Sequence, residues 1–338
     1  MTEAVSVVDV AARAGVSLGT VSNVLNRPEL VAAATRDRVL QAVAELGYVR
    51  NEAARQLRSG RSRVIGLVVL DVGNPFFTDL AAGVEDSAAD ADLSVILCNS
   101  AESLTRESHY LDLLEQQRAY GVLITPVATK TPALEAIRRR GTAVVLVDRG
   151  SSPRQCSVSV DDRVGGELAI SHLIACGHKR LGFVGGPVTL TQVSDRLAGA
   201  RDALRLGGLR PNALTIVETA GLNVVAGRQA AERIVDMPAH QRPSAVFCAN
   251  DLLALGVLQE MTRRRLLVPR DIAIVGYDDI EFAAAAAVPL TSIRQPRAQL
   301  GRAAAELLIE EVTEPKLHRH RQVVFEPDLV ARESTMST

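Results

Sequence analysis

Two groups of residues in this 338-residue chain are typed and spaced for chemistry. The first lies in residues 9–26, DVAARAGVSLGTVSNVLN. Thr20 and Ser22 carry hydroxyls suited to phosphate oxygens, and Asn23 carries an amide that can reach a base edge. The second is scattered. Asn74, Phe76 and Phe77 follow an apolar run ending at Leu70, Asp148 and Arg149 follow one ending at Val147, Asn250 follows Cys248, and Asp278 follows Val275. Polar and aromatic groups just past the carboxyl ends of parallel strands are placed to bind a ligand. Carboxylates and guanidiniums each take two hydrogen bonds at once, which suits vicinal hydroxyls. Plainer readings stay open: Phe76 and Phe77 as core of a following helix, the charged residues as an internal salt-bridge network.

Catalytic and cofactor signatures are missing. The run 182–186, GFVGG, lacks GxGxxG spacing, and there is no Walker lysine motif and no GxSxG. The six histidines form no ligand pattern, with His318 and His320 in a basic stretch. The cysteines, 98, 156, 176 and 248, are far apart without a CxxC pair, so neither a metal nor a disulfide framework is expected. The expectation is a binding protein with no cofactor and no metal, in a reducing compartment. No basic start followed by an apolar run marks a signal peptide, and no apolar stretch is long enough to span a bilayer, so a cytoplasmic protein without a membrane partner is expected.

Net charge is −1, but it is unevenly spread. Residues 1–63 hold nine arginines against six acids, and five of those arginines fall in 50–63 with Glu52 alone opposing them. Such a segment is a phosphate-binding footprint or a solvated linker.

The first group needs helices to present it. Residues 7–14 read as a helix ended by Gly15, and 18–25 as a second helix capped by Ser17. A third covers 35–46 with Gly47 at its end, and 51–57 fits one or two further turns. From Val64 the texture changes. Apolar, β-branched runs at 64–70, 94–98, 121–125, 143–147, 157–160, 181–184, 215–217, 245–248 and 272–275 alternate with amphipathic stretches. That pattern predicts parallel sheets covered on both faces, and there are too many strands for one core, so two α/β lobes are expected. Trp is absent and aromatics are 3%, so Ala, Val, Leu and Ile must fill them.

The run 9–26 resembles the helix-turn-helix of the LacI/GalR family of bacterial regulators, and the similarity extends over essentially the whole chain. The resemblance implies a small all-α helix-turn-helix domain followed by two Rossmann-like lobes of periplasmic-binding-protein type. It implies that the second helix enters the major groove of double-stranded DNA, with Leu18, Gly19 and Asn23 choosing the operator. Ser17, Thr20, Ser22 and Asn26 complete the DNA-facing set. Leu18 and Gly19 cannot hydrogen-bond a base through their side chains, so selectivity leans on Asn23, on thymine methyls and on DNA shape. Residues 51–58 resemble the family's hinge helix, which implies that Leu57 wedges into the minor groove and Arg58 follows it. Arg50 stands where a proline is common. Ala32 replaces a frequent capping serine, with Thr35 as the substitute.

The lobes resemble ribose-type sugar sensors. That implies effector contacts from Asn74, Phe76, Phe77, Asp148, Arg149, Arg196, Asn250, Asp278 and Gln295, with Leu222 where many sugar sensors have an aromatic. The implied organisation is a headpiece over 1–50, a hinge and linker over 51–63, a first lobe from 64–161 and 292–321, and a second from 162–291 and 322–334. Crossovers then fall near Asp161, Thr291 and Gln322. Two headpieces on a palindrome need two-fold symmetry, so a homodimer is expected, and the end soon after Arg332 leaves no room for a tetramerising helix. The expected function is an allosteric repressor whose effector is a sugar or nucleoside-like polyol. The rival is a sugar-binding protein without a regulatory role, which specific operator binding would exclude.

Overall fold

The computed structural model describes residues 5–48, 61–128, 131–150 and 154–336. It divides into one unit over 1–62 and another over 63–338.

In the first unit, α1 is Val7–Ala14, α2 is Leu18–Asn26 and α3 is Ala33–Leu46, with a 3-10 turn at Pro28–Leu30. A reciprocal capping box opens α1: Ser6 N–H donates to Asp9 Oδ2 at 2.8 Å, and Asp9 N–H donates back to Ser6 Oγ. Gly15, at φ +64°, ends α1 in the left-handed region that glycine tolerates. Ser17 Oγ then accepts from Thr20 N–H at 3.1 Å and starts α2. Val10, Val21, Val24, Val39 and Ala42 meet in the core, with Val7, Leu25, Val43 and Leu46 packed around them. Thr35 is not the cap of α3. The helix starts two residues earlier, and the Ala32 carbonyl alone takes the N–H groups of Thr35 and Arg36, each at 3.0 Å. The proposed hinge at 51–58, with Leu57 and Arg58, lies outside the described residues, as does Arg50.

The second unit holds two sheets. In the first lobe these are β1 (Val64–Val69), β2 (Ser94–Asn99), β3 (Gly121–Ile124), β4 (Val144–Val147), β5 (Ser157–Val160) and β11 (Gln322–Phe325), ordered β11-β5-β4-β3-β1-β2 and all parallel. Helices α4 (Pro75–Asp90), α5 (Leu104–Gln116), α6 (Pro132–Arg139) and α12 (Arg297–Thr313) belong to it. The second lobe repeats the strand order. Its strands β6 (Leu181–Gly185), β7 (Leu214–Glu218), β8 (Ala245–Cys248), β9 (Ala273–Asp278), β10 (Thr291–Arg294) and β12 (Asp328–Val330) run β12-β10-β9-β8-β6-β7, with β12 antiparallel. With it go α7 (Asp162–Ala175), α8 (Thr191–Leu206), α9 (Val224–Val235), α10 (Asp251–Arg263) and the short α11 (Glu281–Ala284). Continuous apolar strands such as VIGLVV in β1 are buried on both faces, as parallel sheets require.

The chain passes between lobes at Asp161, between Arg294 and Arg297, and between Phe325 and Asp328. The last two crossovers therefore come later than Thr291 and Gln322. Residues 291–294 pair with β9 and complete the second sheet before the chain leaves, and 322–325 pair with β5 and complete the first. One close helix contact matters for the site. A Cβ on Gly166 of α7 would lie 2.0 Å from the Arg196 carbonyl, so this glycine lets α7 and α8 touch backbone to backbone and brings Asp162 beside Arg196.

Candidate functional site: a cleft between the lobes

The carboxyl ends of the strands in both sheets face a cleft holding about 510 Å³ of space, open solvent included. Leu70 and Asp71 reach it from the end of β1, Glu102 from beyond β2, and Asp148 from β4. The second lobe supplies Leu190, Gln192, Val193 and Arg196 around the start of α8, Asn250 past β8, and Asp278 at the tip of β9. Leu222 lines it ahead of α9, and Gln295 at the second crossover. Phe76 and Phe77 are both core and lining: they are buried in the first turns of α4, with rings edge to face at 5.0 Å, and border the cavity.

Several polar groups do double duty. Asn74 caps α4 by accepting from Phe76 N–H at 3.0 Å, while its Nδ2 donates to Asp278 Oδ2 at 3.2 Å. Gln295 Nε2 donates to Asp278 Oδ1 at 2.7 Å. Gln192 Nε2 reaches across from α8 to the Asp148 carbonyl at 3.0 Å and to its Oδ2 at 3.1 Å. Asn250 is more committed: its Oδ1 caps α10 by accepting from Leu253 N–H, and its Nδ2 donates to the Leu222 carbonyl, both at 2.9 Å. Asp251 beside it is an internal brace. Its two oxygens accept from Ser292 Oγ at 2.6 Å and Ile280 N–H at 2.9 Å, fixing the backbone around Asp278.

Arg196 is the buried cation of the cleft. Its Nε donates to Asp162 Oδ1 at 2.7 Å, one terminal nitrogen donates to the Ala249 carbonyl at 2.6 Å, and the guanidinium lies 3.6 Å over the Tyr277 ring. Burial opposes its charge, but Asp162, Tyr277, Asp278 and Asp148 together hold it charged. The internal salt-bridge reading thus holds for it, and the same side chain borders the cavity. Burial pushes Asp148 up to about 7, with Asp162 adding to the effect and Arg196 and Gln192 opposing it. Burial also raises Asp278, against Arg196, Asn74 and Gln295. Glu102 is raised by burial and by Asp71.

Nine of the ten residues expected at the cavity line it; Arg149 does not. Asp148 takes φ +54° at the strand end, and Arg149 is buried behind the lining, with Nη1 donating to Gln192 Oε1 at 3.5 Å. Its field comes from Asp148, Asp195 and Glu107. Gln192 and Glu102 were missed by sequence reasoning. Both carry a signal: Gln192 is four residues before Arg196 on one helix face, and Glu102 follows a strand end as Asp148 and Asn250 do.

The headpiece face is simpler. Leu18, Gly19, Asn23 and Asn26 are exposed, with Thr20 and Ser22 half-buried. Ser17 Oγ and Thr20 Oγ1 are 3.0 Å apart, and Asn26 Nδ2 donates to the Ser22 carbonyl at 2.7 Å, closing the helix. Asn23 is therefore the exposed amide in the middle of the face.

Residues 6–51 match the family described as bacterial regulatory proteins, lacI family, and residues 170–335 match the periplasmic binding protein-like domain. The chain is 36% identical over 316 residues to the ribose operon repressor of Escherichia coli (strain K12), covering 93% of this chain and 94% of that one. It is 33% identical over 331 residues to the HTH-type transcriptional repressor PurR of Aliivibrio fischeri (strain MJ11), covering 97% and 98%. The solved Lac repressor dimer bound to operator and the anti-inducer ONPF aligns with a TM-score of 0.85 and 27% identity, over 99% of this chain and 100% of that one. Helix-turn-helix headpiece, paired parallel-sheet lobes and near-complete alignment agree: the chain belongs to the lacI family of bacterial regulatory proteins, DNA-binding transcriptional repressors with an effector-binding domain.

Proposed function

We propose that the cleft binds a small, neutral, hydroxyl-rich effector of monosaccharide size, and that its occupancy sets the affinity of a headpiece pair for a palindromic operator. The carrying observation is a pair of buried acceptors. Asp148 Oδ1 and Gln295 Oε1, both on side chains that line the cavity, have no hydrogen-bond partner among the described residues. Buried acceptors are costly to leave unpaired, and hydroxyl donors on an effector satisfy them. Phe76, Phe77, Leu190 and Leu222 supply the apolar walls that a sugar ring's C–H faces need. Of the residues lining the cavity Arg196 alone is a cation, and it is already paired with Asp162, while Asp71, Glu102, Asp148 and Asp278 line the same cavity, so the lining offers an anionic ligand little to bind. The ribose operon repressor, by its name, serves an operon for a compound of this class.

Binding such an effector makes and breaks no covalent bond, and the role proposed for the protein is that of a sensor. It works where DNA is, in the cytoplasm; among the described residues no helix is long and apolar enough to cross a membrane. For the dimer face, the outer edges of the two sheets supply exposed apolar groups, with Ile96 and Leu97 on β2, Leu104 and Leu113 on α5, and Ile216 on β7. Exposed apolar surface on edge strands is a docking surface unless it is covered.

The test is a melting series with neutral pentoses and hexoses against their phosphates, since a ligand that binds the native state raises apparent stability. At least one neutral sugar should raise the melting temperature, and should change the affinity for an operator selected from random duplexes. Stabilisation by sugar phosphates alone would overturn the assignment.

A further inference from the structure

We propose that the first lobe carries a zinc-type divalent metal site built from Cys156, Glu311, His318 and His320, remote from the effector cleft. Spacing along the chain gave no hint of it, because the four residues come from three segments: the residue before β5, the last turn of α12, and the connection from α12 to β11. Their ligand atoms all lie within 4.8 Å of one another. Cys156 Sγ is 3.2 Å from His318 Nε2 and 3.6 Å from His320 Nδ1, and His318 Nε2 is 3.8 Å from Glu311 Oε2. Zinc bonds of about 2.0–2.3 Å in a tetrahedron put ligand atoms roughly 3.3–3.8 Å apart, the spacing these three edges already have.

The surroundings favour the same reading. Glu310 Oε1 is 3.1 Å from His318 Nδ1, and Glu310 is itself paired with Arg321. A carboxylate there accepts only, so Nδ1 carries the proton and Nε2 presents its lone pair to the cluster. This carboxylate–histidine pairing is the common way of orienting a metal-binding imidazole. Glu311 Oε2 is buried with no hydrogen-bond partner among the described residues, and Cys156 is fully buried. One thiolate and one carboxylate balance the two charges of the ion, and a sulfur with two imidazoles selects zinc over magnesium or calcium. The site lies beyond the far end of α12 from Arg297, a helix of 17 residues and so roughly 25 Å long. An ion there would tie α12 to the β5–β11 edge without touching the effector cavity.

The experiment uses full-length, tag-free protein stripped of metal, titrated with zinc by calorimetry and with cobalt by absorption. One ion per chain is expected, with a thiolate-to-cobalt charge-transfer band and intense tetrahedral d–d bands. Cys156→Ser should abolish the charge-transfer band, and Glu310→Gln should weaken zinc binding about tenfold or more although it removes no ligand. If Cys156→Ser does not fold, His320→Ala, at an exposed position, should still lower zinc affinity at least tenfold. Absence of a thiolate band in the wild type, or zinc affinity unaltered in folded Cys156→Ser or His320→Ala, overturns the proposal.

Discussion

Asn74 Nδ2 donates to Asp278 Oδ2 at 3.2 Å, joining the first turn of a helix in one lobe to the tip of a strand in the other. Asp278 is also held by Gln295 and, at its carbonyl, by Arg297. Its carboxylate is therefore the point where both lobes and a crossover meet, and under the proposed function it is the group an effector in the cavity is expected to share. Replacing Asp278 by Ala removes one side of a charge-assisted set worth about 1.5–3 kcal/mol, or one to two decades of effector affinity. Calorimetry with the cognate effector should show that loss while operator affinity without effector stays within a few-fold. Unchanged effector affinity would remove Asp278 from the site.

Arg196 behaves differently, because its main partner is Asp162 and both side chains are buried. Arg196→Ala leaves that carboxylate buried and unpaired, which costs roughly 3–5 kcal/mol of stability on top of any effector contact. The loss should be partly restored by adding Asp162→Asn. Urea unfolding of the two variants gives the comparison, and a single variant as stable as wild type would show that the pair is not an essential brace.

How much of this was legible in the sequence follows from where the information sits. Gly15, Ser17 and Gly47 are local signals, and the structure uses each where its chemistry predicts. Polar residues after strand ends were equally readable, hence Asn74, Asp148, Asn250 and Asp278 around one cavity. Thr35 misled because a capping side chain was assumed where a backbone carbonyl suffices. Arg149 is buried outside the lining, after a left-handed Asp148, and no local pattern announces that turn. The crossovers near 291 and 322 were misplaced because sheet partners, 275–278 and 157–160, are distant in sequence.

Asp148 makes stability depend on pH. Burial raises it from 3.8 to about 7 in the folded protein, so between those values the folded state binds more protons than the unfolded one. Stability is then full below the unfolded value and falls as pH rises through the window, by a few kcal/mol at most. Asp148→Asn keeps the neutral form at every pH. Its melting temperature should change less between pH 5 and pH 8 than that of the wild type. Equal slopes would mean that Asp148 ionises freely in the fold.

The last prediction concerns DNA. On α2 the exposed residues are Leu18, Gly19, Asn23 and Asn26. Leu18 and Gly19 have no hydrogen-bonding side chain and Asn26 turns its amide back onto the Ser22 carbonyl, so Asn23 is the side chain placed to read a base. A bidentate base contact is worth about 1–3 kcal/mol of discrimination. Non-specific affinity comes instead from phosphate neutralisation, which an uncharged side chain does not alter. Asn23→Ala should therefore lose about one to two decades on a selected operator, leave binding to random duplex nearly intact, and keep the salt dependence of both. Leu57, beyond the described residues, is expected from sequence to behave alike, because an apolar wedge acts where the central base step can open. Fluorescence anisotropy on operator and random duplex across a salt series separates these effects. Equal losses on both duplexes, or a shallower salt slope for Asn23→Ala, would place Asn23 on the phosphates and leave operator choice to shape and to Leu18.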